Sequence, residues 1–369
     1  MSGVLPRLYR HVLPAGRLSC ASTVRAPLSH LMPRVSMTSL TSNMAVATQF
    51  SKTFHSTPAP QTVDPIKHSP KALLPEFSLK DKVIIVSGGA QGLGLVQTEA
   101  LLEAGAKGKS QPASRALLCF LLGLHVDLVT KTNLTLPPPL VHVFDRQAPP
   151  PAGSKYDAVA KRAVGELETT LTYHQIDVRL GAGDINRVTQ EIADEHGRID
   201  GLIAAAGIQQ ETPALEYTAE DSDRMLGINI TGVLMTAQAV ARQMVRLKQE
   251  GSLVFIASMS GTVANRGLIC PVYNASKAGV IQLGRNLASE WGQHGIRVNT
   301  ISPGYIVTDM VKALFEKFPE REVEWPKQNM LNKLSKPEDY RGAAVFLLSD
   351  ASRFMTGADL RIDGGHAAW

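Results

Sequence analysis

The chain has 369 residues, 44% hydrophobic and 19% charged, a composition ordinary for a globular protein with ample core, and its 5% aromatic content is too low for a nucleic-acid stacking platform. Its formal charge of +5 is located at the N-terminus: residues 1–63 carry six Arg/Lys and no Asp or Glu, leaving 32 basic and 33 acidic side chains in residues 64–369. The larger part is therefore near neutral and has no basic footprint for nucleic acid.

Residues 1–63, with Arg7, Arg10, Arg17, Arg25, Arg34 and Lys52 among many serines, fit a mitochondrial transit peptide. They lack the apolar core of a secretory signal. A disordered leader on a cytoplasmic protein is the alternative. Cys20, Cys119 and Cys270 form no disulfide framework and no metal-ligand spacing, which suits a reducing compartment and predicts no metal site. Residues 64–80 read as a linker, and a single domain is expected over 81–369.

Structure is expected to begin with a buried strand at 83–86, the turn Ser87-Gly-Gly-Ala-Gln-Gly-Leu-Gly94, and a helix over 95–106. Gly88, Gly92 and Gly94 stand in a G-x-x-x-G-x-G spacing at that junction. The backbone there must turn sharply and approach a pyrophosphate with no Cβ in the way, while the helix N-terminus offers N–H donors. Gln91 and Leu93 share the turn and join the glycines as candidate cofactor contacts.

A second strand should follow within a few residues. Instead residues 108–140 intervene, 33 residues with a Leu-rich patch at 117–124 and the run Pro137-Pro-Pro139. The patch is too short to cross a membrane, and as an exposed arm it would be an aggregation liability. Gly108-Lys-Ser can be encoded by a sequence containing a 5′ splice site, and removal of the segment would join Lys107 to Val141 in a short loop. Residues 108–140 are therefore expected to be retained intron sequence.

The strand 141–145 ends on Asp145. An acid at this place in a dinucleotide fold binds the adenosine ribose hydroxyls and repels a 2′-phosphate, favouring NAD, whereas Arg146 beside it can grip that phosphate and leaves NADP open. A helix over 155–168 leads to a strand at 172–176, whose end, Asp177 and Val178, is suited to contact adenine. After a helix at 184–196 comes a strand over 201–207, its tip Ala205-Ala206-Gly207 small enough to leave room for a flat ring. A long helix over 219–248 holds Asn229 among apolar positions, where its amide must be hydrogen-bonded.

Residues 253–257 read as a buried strand with Ser258 at its C-terminal tip, the edge at which parallel sheets bind ligands. Tyr273 and Lys277 are four apart in a helix over 273–291 and so project from one face. An ammonium near a phenol favours the phenolate, and bringing a phenol from about 10 towards neutrality takes about 4 kcal/mol.

These residues together resemble the short-chain dehydrogenase/reductase family. The resemblance rests on the Gly88/Gly92/Gly94 turn, Asp145, Asp177-Val178, Ala205-Ala206-Gly207, Asn229, Ser258 with Gly261, Tyr273-x-x-x-Lys277, Pro303-Gly304 with Thr308, and Asp363-Gly-Gly365. It covers 81–369 apart from the insertion, and is strongest towards fungal D-arabinitol 2-dehydrogenase, mannitol dehydrogenase and sorbose reductase.

The resemblance implies an α/β fold, a single Rossmann-type doubly wound parallel sheet with helices on both faces. It implies hydride transfer between NAD(P) and a polyol/ketose pair. Tyr273 would be the general acid/base, Lys277 would lower its pKa and hold the nicotinamide ribose, Ser258 would hold the reacting oxygen, and Asn229 would hold a water of the proton relay. Pro303, Gly304, Ile306 and Thr308 would line the nicotinamide, Thr308 through its hydroxyl. A homotetramer is implied as well.

Two positions depart from the family's pattern: Ser87 replaces a threonine, and Ala205 replaces an asparagine that normally ties neighbouring strands. Residues 308–334, with Phe315, Phe318 and Trp325, suit a lid over the substrate. A polyol pocket needs hydrogen-bonding groups such as Gln209, Gln210 and Asn265. Reduction of another carbonyl (3-oxoacyl, steroid or simple secondary alcohol) and non-catalytic dinucleotide binding are the alternatives.

Overall fold

The structure, a computed structural model, describes residues 74–105 and 141–369. The expected leader, residues 64–73 of the linker and the 108–140 insertion lie outside the described residues. Among the described residues seven strands are formed: β1 (Ile84–Ser87), β2 (Val141–Asp145), β3 (Leu171–Gln175), β4 (Gly201–Ala204), β5 (Gly251–Ile256), β6 (Ile296–Pro303) and β7 (Asp359–Ile362). They lie in the order β3-β2-β1-β4-β5-β6-β7, every neighbouring pair parallel. This is the expected doubly wound sheet.

The helices are α1 (Gly92–Gly105), α2 (Lys155–Gly165), α3 (Ala182–His196), α4 (Ala219–Leu226), α5 (Val233–Leu247), α6 (Pro271–Trp291), α7 (Asp309–Lys317), α8 (Pro319–Glu324) and α9 (Arg341–Leu348). Strand alternation divides the core in two. Ile84, Val86, Val143 and Val254 pack with Leu101, Val159 and Leu347 on one face, while Ile85, Phe144, Leu202 and Phe255 pack with Ile192, Val240 and Val280 on the other. Each such side chain contributes about 1.5–3 kcal/mol by burial, so a strand apolar on both faces is held from both sides.

Strand β6 escapes a reading by periodicity because Arg297, Asn299, Thr300 and Ser302 interrupt its apolar run. Their polar atoms are satisfied sideways: Thr300 and Ser302 hydroxyls each donate to Asp359 Oδ1 at 2.6 Å, and Asn299 Nδ2 donates to Met355 O at 2.9 Å. Some expected boundaries are corrected. The strand read over 201–207 ends at Ala204, the helix read over 155–168 ends at Gly165, and the helix read from 95 begins at Gly92. The single helix read over 219–248 is two helices joined by a wide π-helical turn, Gly227–Gly232, with Asn229 inside it.

Candidate active site

Because β1 lies between β2 and β4, crossovers leave it in both directions and a crevice opens beyond its C-terminal end. Gly88 follows β1 with φ +68°, donates its N–H to Phe144 O at 2.7 Å, and lies so close to the β4 loop that a Cβ would stand 2.7 Å from Ala206 N. A Cβ on Gly94 would run into Gly88 O. Gly92 is exposed with φ +54°. The turn is thus packed underneath and open above, where the first amides of α1, from Gly92 to Gly94, have no intrahelical acceptor. That cradle fits the pyrophosphate of a dinucleotide, with exposed Gln91 and half-buried Leu93 on its rim.

On the adenosine side, Asp145 closes β2 and its Oδ1 accepts from Gln147 N at 3.3 Å, while Arg146 beside it is exposed. Asp177 turns its carboxylate onto Arg179 N at 2.8 Å, and Val178 is buried against the wide turn, where a Cβ on Gly232 would stand 2.8 Å from Val178 Cγ2. The strand tie expected to be missing at Ala205 is made another way. Ala205 N donates to Ser87 O at 3.0 Å and Ala206 N reaches Ser87 Oγ at 3.5 Å, so the β1 and β4 tips stay joined.

The chemistry-bearing residues meet where β5 and α6 converge. Ser258 caps a short turn, Met259–Gly261, its Oγ accepting from Ser260 N at 3.1 Å. Gly261 packs flat on the α6 backbone; a Cβ there would stand 2.7 Å from Lys277 C. This contact is the physical content of the Ser-x-x-Gly spacing, because it sets Ser258 over the face of α6 that carries Tyr273. Ser258 hydrogen-bonds the Tyr273 phenol, and Lys277 Nζ lies 5.6 Å from the phenol ring centre.

Lys277 is buried and donates to Ile256 O at 2.8 Å. Burial lowers its pKa from 10.5 to about 8, which leaves it protonated at neutral pH. Burial pushes Tyr273 up to about 12, with the Ser258 hydrogen bond opposing. The protein's own groups leave the phenol a proton donor.

Asn229 is fully buried and its amide is spent as a clamp. Oδ1 accepts from Ile208 N at 2.9 Å, and Nδ2 donates to Ile208 O and to Ser276 Oγ, each at 3.0 Å. Ser276 in turn donates to Tyr273 O at 2.7 Å. The wide turn thereby ties the β4 loop to the helix turn that carries Tyr273, which gives the Asn229 side chain a positioning role. Gly207 shares this corner, since a Cβ there would stand 3.4 Å from Asn229 Oδ1 and 3.6 Å from Lys277 Nζ.

Beyond Pro303, Gly304 donates to Ile362 O at 3.0 Å, and a Cβ on it would stand 2.8 Å from Asp363 Cα. Ile306 pairs with Ser335 in a short parallel bridge. Thr308 caps α7, its Oγ1 accepting from Val311 N at 3.3 Å, which leaves its own O–H to donate elsewhere. The lid expected over 308–334 is docked: Trp325 is buried, stacks on Tyr305 at 4.3 Å and meets Phe315 edge-on at 5.5 Å. Arg321 crosses to Glu211 in the β4 loop through two bonds of 2.9 and 2.8 Å. That pair was not foreseen, because its members are 110 residues apart and neither stands in a motif.

A family model described as enoyl-(acyl carrier protein) reductase matches residues 152–367. A short chain dehydrogenase/reductase of Aspergillus versicolor is 36% identical over 79% of this chain and 89% of its own length. D-arabinitol 2-dehydrogenase (ribulose-forming) of Candida albicans is 32% identical over 80% of this chain and 96% of its own. The crystal structure of gox2181 superposes with a TM-score of 0.64 at 32% identity, over 80% of this chain and 98% of that one.

Proposed function

Because the chain belongs to the short-chain dehydrogenase/reductase family, we propose that it interconverts a polyol and its ketose with NAD(P), oxidising a secondary alcohol carbon or reducing the corresponding ketone. The observation that carries this reading is the convergence of Ser258, Tyr273 and Lys277 beside the glycine cradle. The nicotinamide, when bound, supplies the hydride or accepts it. The chain's own groups manage the proton. Ser258 Oγ holds the reacting oxygen, Tyr273 Oη gives that oxygen its proton during ketone reduction, and the Lys277 ammonium stabilises the phenolate left behind.

Asp145 at the tip of β2 supports a preference for NAD, its charge standing where a 2′-phosphate would be repelled. The outer faces of α5 and α6 leave an apolar groove lined by Leu234, Val245, Leu283, Leu287 and Trp291, and a second copy of the chain is the occupant that would bury it, on the way to a homotetramer. Sedimentation of the wild type against Leu283→Glu tests that assembly; a wild-type monomer defeats it. The acid-free residues 1–63 support mitochondrial import, which an intact Met1 on protein from the native cell would overturn.

The function is tested by following NADH and NADPH consumption with a panel of five- and six-carbon ketoses. Turnover of at least one ketose, faster with NADH, is expected. Turnover of 3-oxoacyl or steroid ketones alone would transfer the reading to those substrates.

A further inference from the structure

Helix α2 begins with Lys155, immediately after the Ser154 cap. A cation at the first helical position works against the helix dipole, so the local sequence gives no reason for it. The acid of the same turn, Asp157, is already taken by Lys161 at 2.7 Å and by Gly153 N at 2.8 Å. Lys155 reaches out of its helix instead, and its Nζ meets Asp309 Oδ2 at 2.5 Å, 154 residues further along the chain. Asp309 is the first residue of α7, directly after Thr308.

The place of that ion pair follows from the sheet. Strands β2 and β6 are four steps apart in the order β2-β1-β4-β5-β6, which is about 19 Å at about 4.8 Å per step. All are parallel, so the segments that leave Asp145 and Pro303 start from one edge, the edge at which the crevice opens. Residues 146–154 come from the adenosine end and residues 304–308 from the nicotinamide end, and Lys155 and Asp309 join them. Strand β1, with the glycine cradle at its tip, lies inside that span. The join is also on the cradle's side of the sheet, since Tyr156 of α2, Leu95 of α1 and Ile306 all pack into the same half of the core.

Each arm is pinned below its tip. Tyr173 Oη donates to Gln147 O at 2.7 Å on one arm, and Val307 N donates to Ser335 O at 2.8 Å on the other. The ion pair itself is open to water, its side chains 77% and 69% exposed. Two pinned arms joined by an exposed pair make a bridge over the middle of the dinucleotide site that can open without unfolding either arm.

We propose that Lys155 and Asp309 form a latch across the crevice, and that its opening gates the passage of the dinucleotide. The proposal rests on cofactor binding in this crevice and does not depend on which ketone is reduced. Because the pair forms between protein groups alone, it opens before entry as well as before release. Removing it therefore speeds both steps and leaves the affinity nearly where it was, whereas a contact that merely held the pocket in shape would weaken binding when lost.

The test follows NADH fluorescence by stopped flow in the full chain, association by mixing and release by a chase with excess NAD+, for the wild type, Lys155→Gln, Asp309→Asn, the double variant and Lys155→Arg. Lys155→Gln and Asp309→Asn are each expected to raise both rate constants about twofold to fivefold, the range of an exposed ion pair, with Kd changed by less than about twofold. The double variant should be no faster than the faster single variant, and Lys155→Arg, which keeps the charge, should stay at the wild-type rates. Unchanged rates in the single variants, single effects that multiply in the double variant, or a rise in release alone would each overturn the latch. A wild type that binds neither NADH nor NADPH would instead defeat the cofactor reading, and the latch with it.

Discussion

The two halves of the crevice are built on different plans. The cofactor half, beyond β1 to β3, is made of backbone: Gly88 against Ala206, the open amides of α1, and Asp145 at the end of its strand. The substrate half is made of side chains drawn from distant loops: Glu211 to Arg321 and Trp325 on Tyr305. A backbone cradle admits one ligand shape and leaves little to vary, whereas a wall of loop side chains changes its ligand by single substitutions. Tyr273 and Lys277 stand at the seam.

The seam should give the largest effect. Tyr273→Phe is expected to keep NADH affinity, since the ring and its packing remain, and to lose about 10²–10⁴-fold in kcat, the usual range for a general acid. Stopped-flow turnover beside a fluorescence titration checks both halves of that statement. Comparable turnover in the variant would take the phenol out of the mechanism.

Lys277 gives a pH signature that either half alone would not. Its folded pKa, about 8, lies below the unfolded 10.5, so between those values the unfolded chain binds the proton that the folded chain has released. Stability therefore rises with pH across that window, and below pH 8 the burial penalty, on the order of 3 kcal/mol, is present in full. Lys277→Met is expected to flatten the wild-type rise in Tm between pH 8 and 10. Parallel Tm curves for the two proteins would mean that Lys277 is not held in the desolvated state.

Two further substitutions set the halves against each other. Gly88→Val forces a side chain onto the Ala206 backbone in a positive-φ turn, an overpacking that costs about 1–3 kcal/mol. It should weaken NADH affinity about tenfold or more while ketose selectivity among the remaining turnovers is unchanged. Arg321→Ala frees α8 from the β4 loop. Because that ion pair is partly exposed, a smaller change is expected, about a twofold to fivefold rise in ketose KM with NADH affinity unaltered. If each variant altered both affinities, the division into two halves would fail.

The division also explains what the sequence discloses. The glycine turn, Asp145, Ser258 and the Tyr273/Lys277 pair are local: each role follows from a residue type at a strand end or from a spacing of four on a helix, and their places are found as expected. Asn229 is legible as a buried amide that needs partners, but its partners, Ile208 and Ser276, lie 21 and 47 residues away, and Asn229 itself sits in a wide turn that periodicity reads as ordinary helix. Strand β6 is hidden for a related reason, since its polar side chains are satisfied by β7 and by the segment before it. Tertiary partners, absent from any window of sequence, turned those polar residues into core.

The smallest expected effect belongs to residues 108–140, and it is the sharpest check on the sheet. Helix α1 ends at Gly105, β2 begins at Val141, and Ile84 to Ser87 pair in register with Val141 to Phe144. If Lys107 is joined directly to Val141, Ala106 and Lys107 form the connection, within the two to six residues usual between a helix and the next parallel strand. The cofactor half then keeps every element its cradle uses: β1, the glycine turn, α1 and β2. The shortened chain is expected to match the full chain in NADH affinity and ketose turnover, and to melt cooperatively at the same or a higher temperature, since closing a shorter loop costs less entropy. Failure of the shortened chain to fold would show that the segment belongs to the domain and would overturn its reading as retained intron.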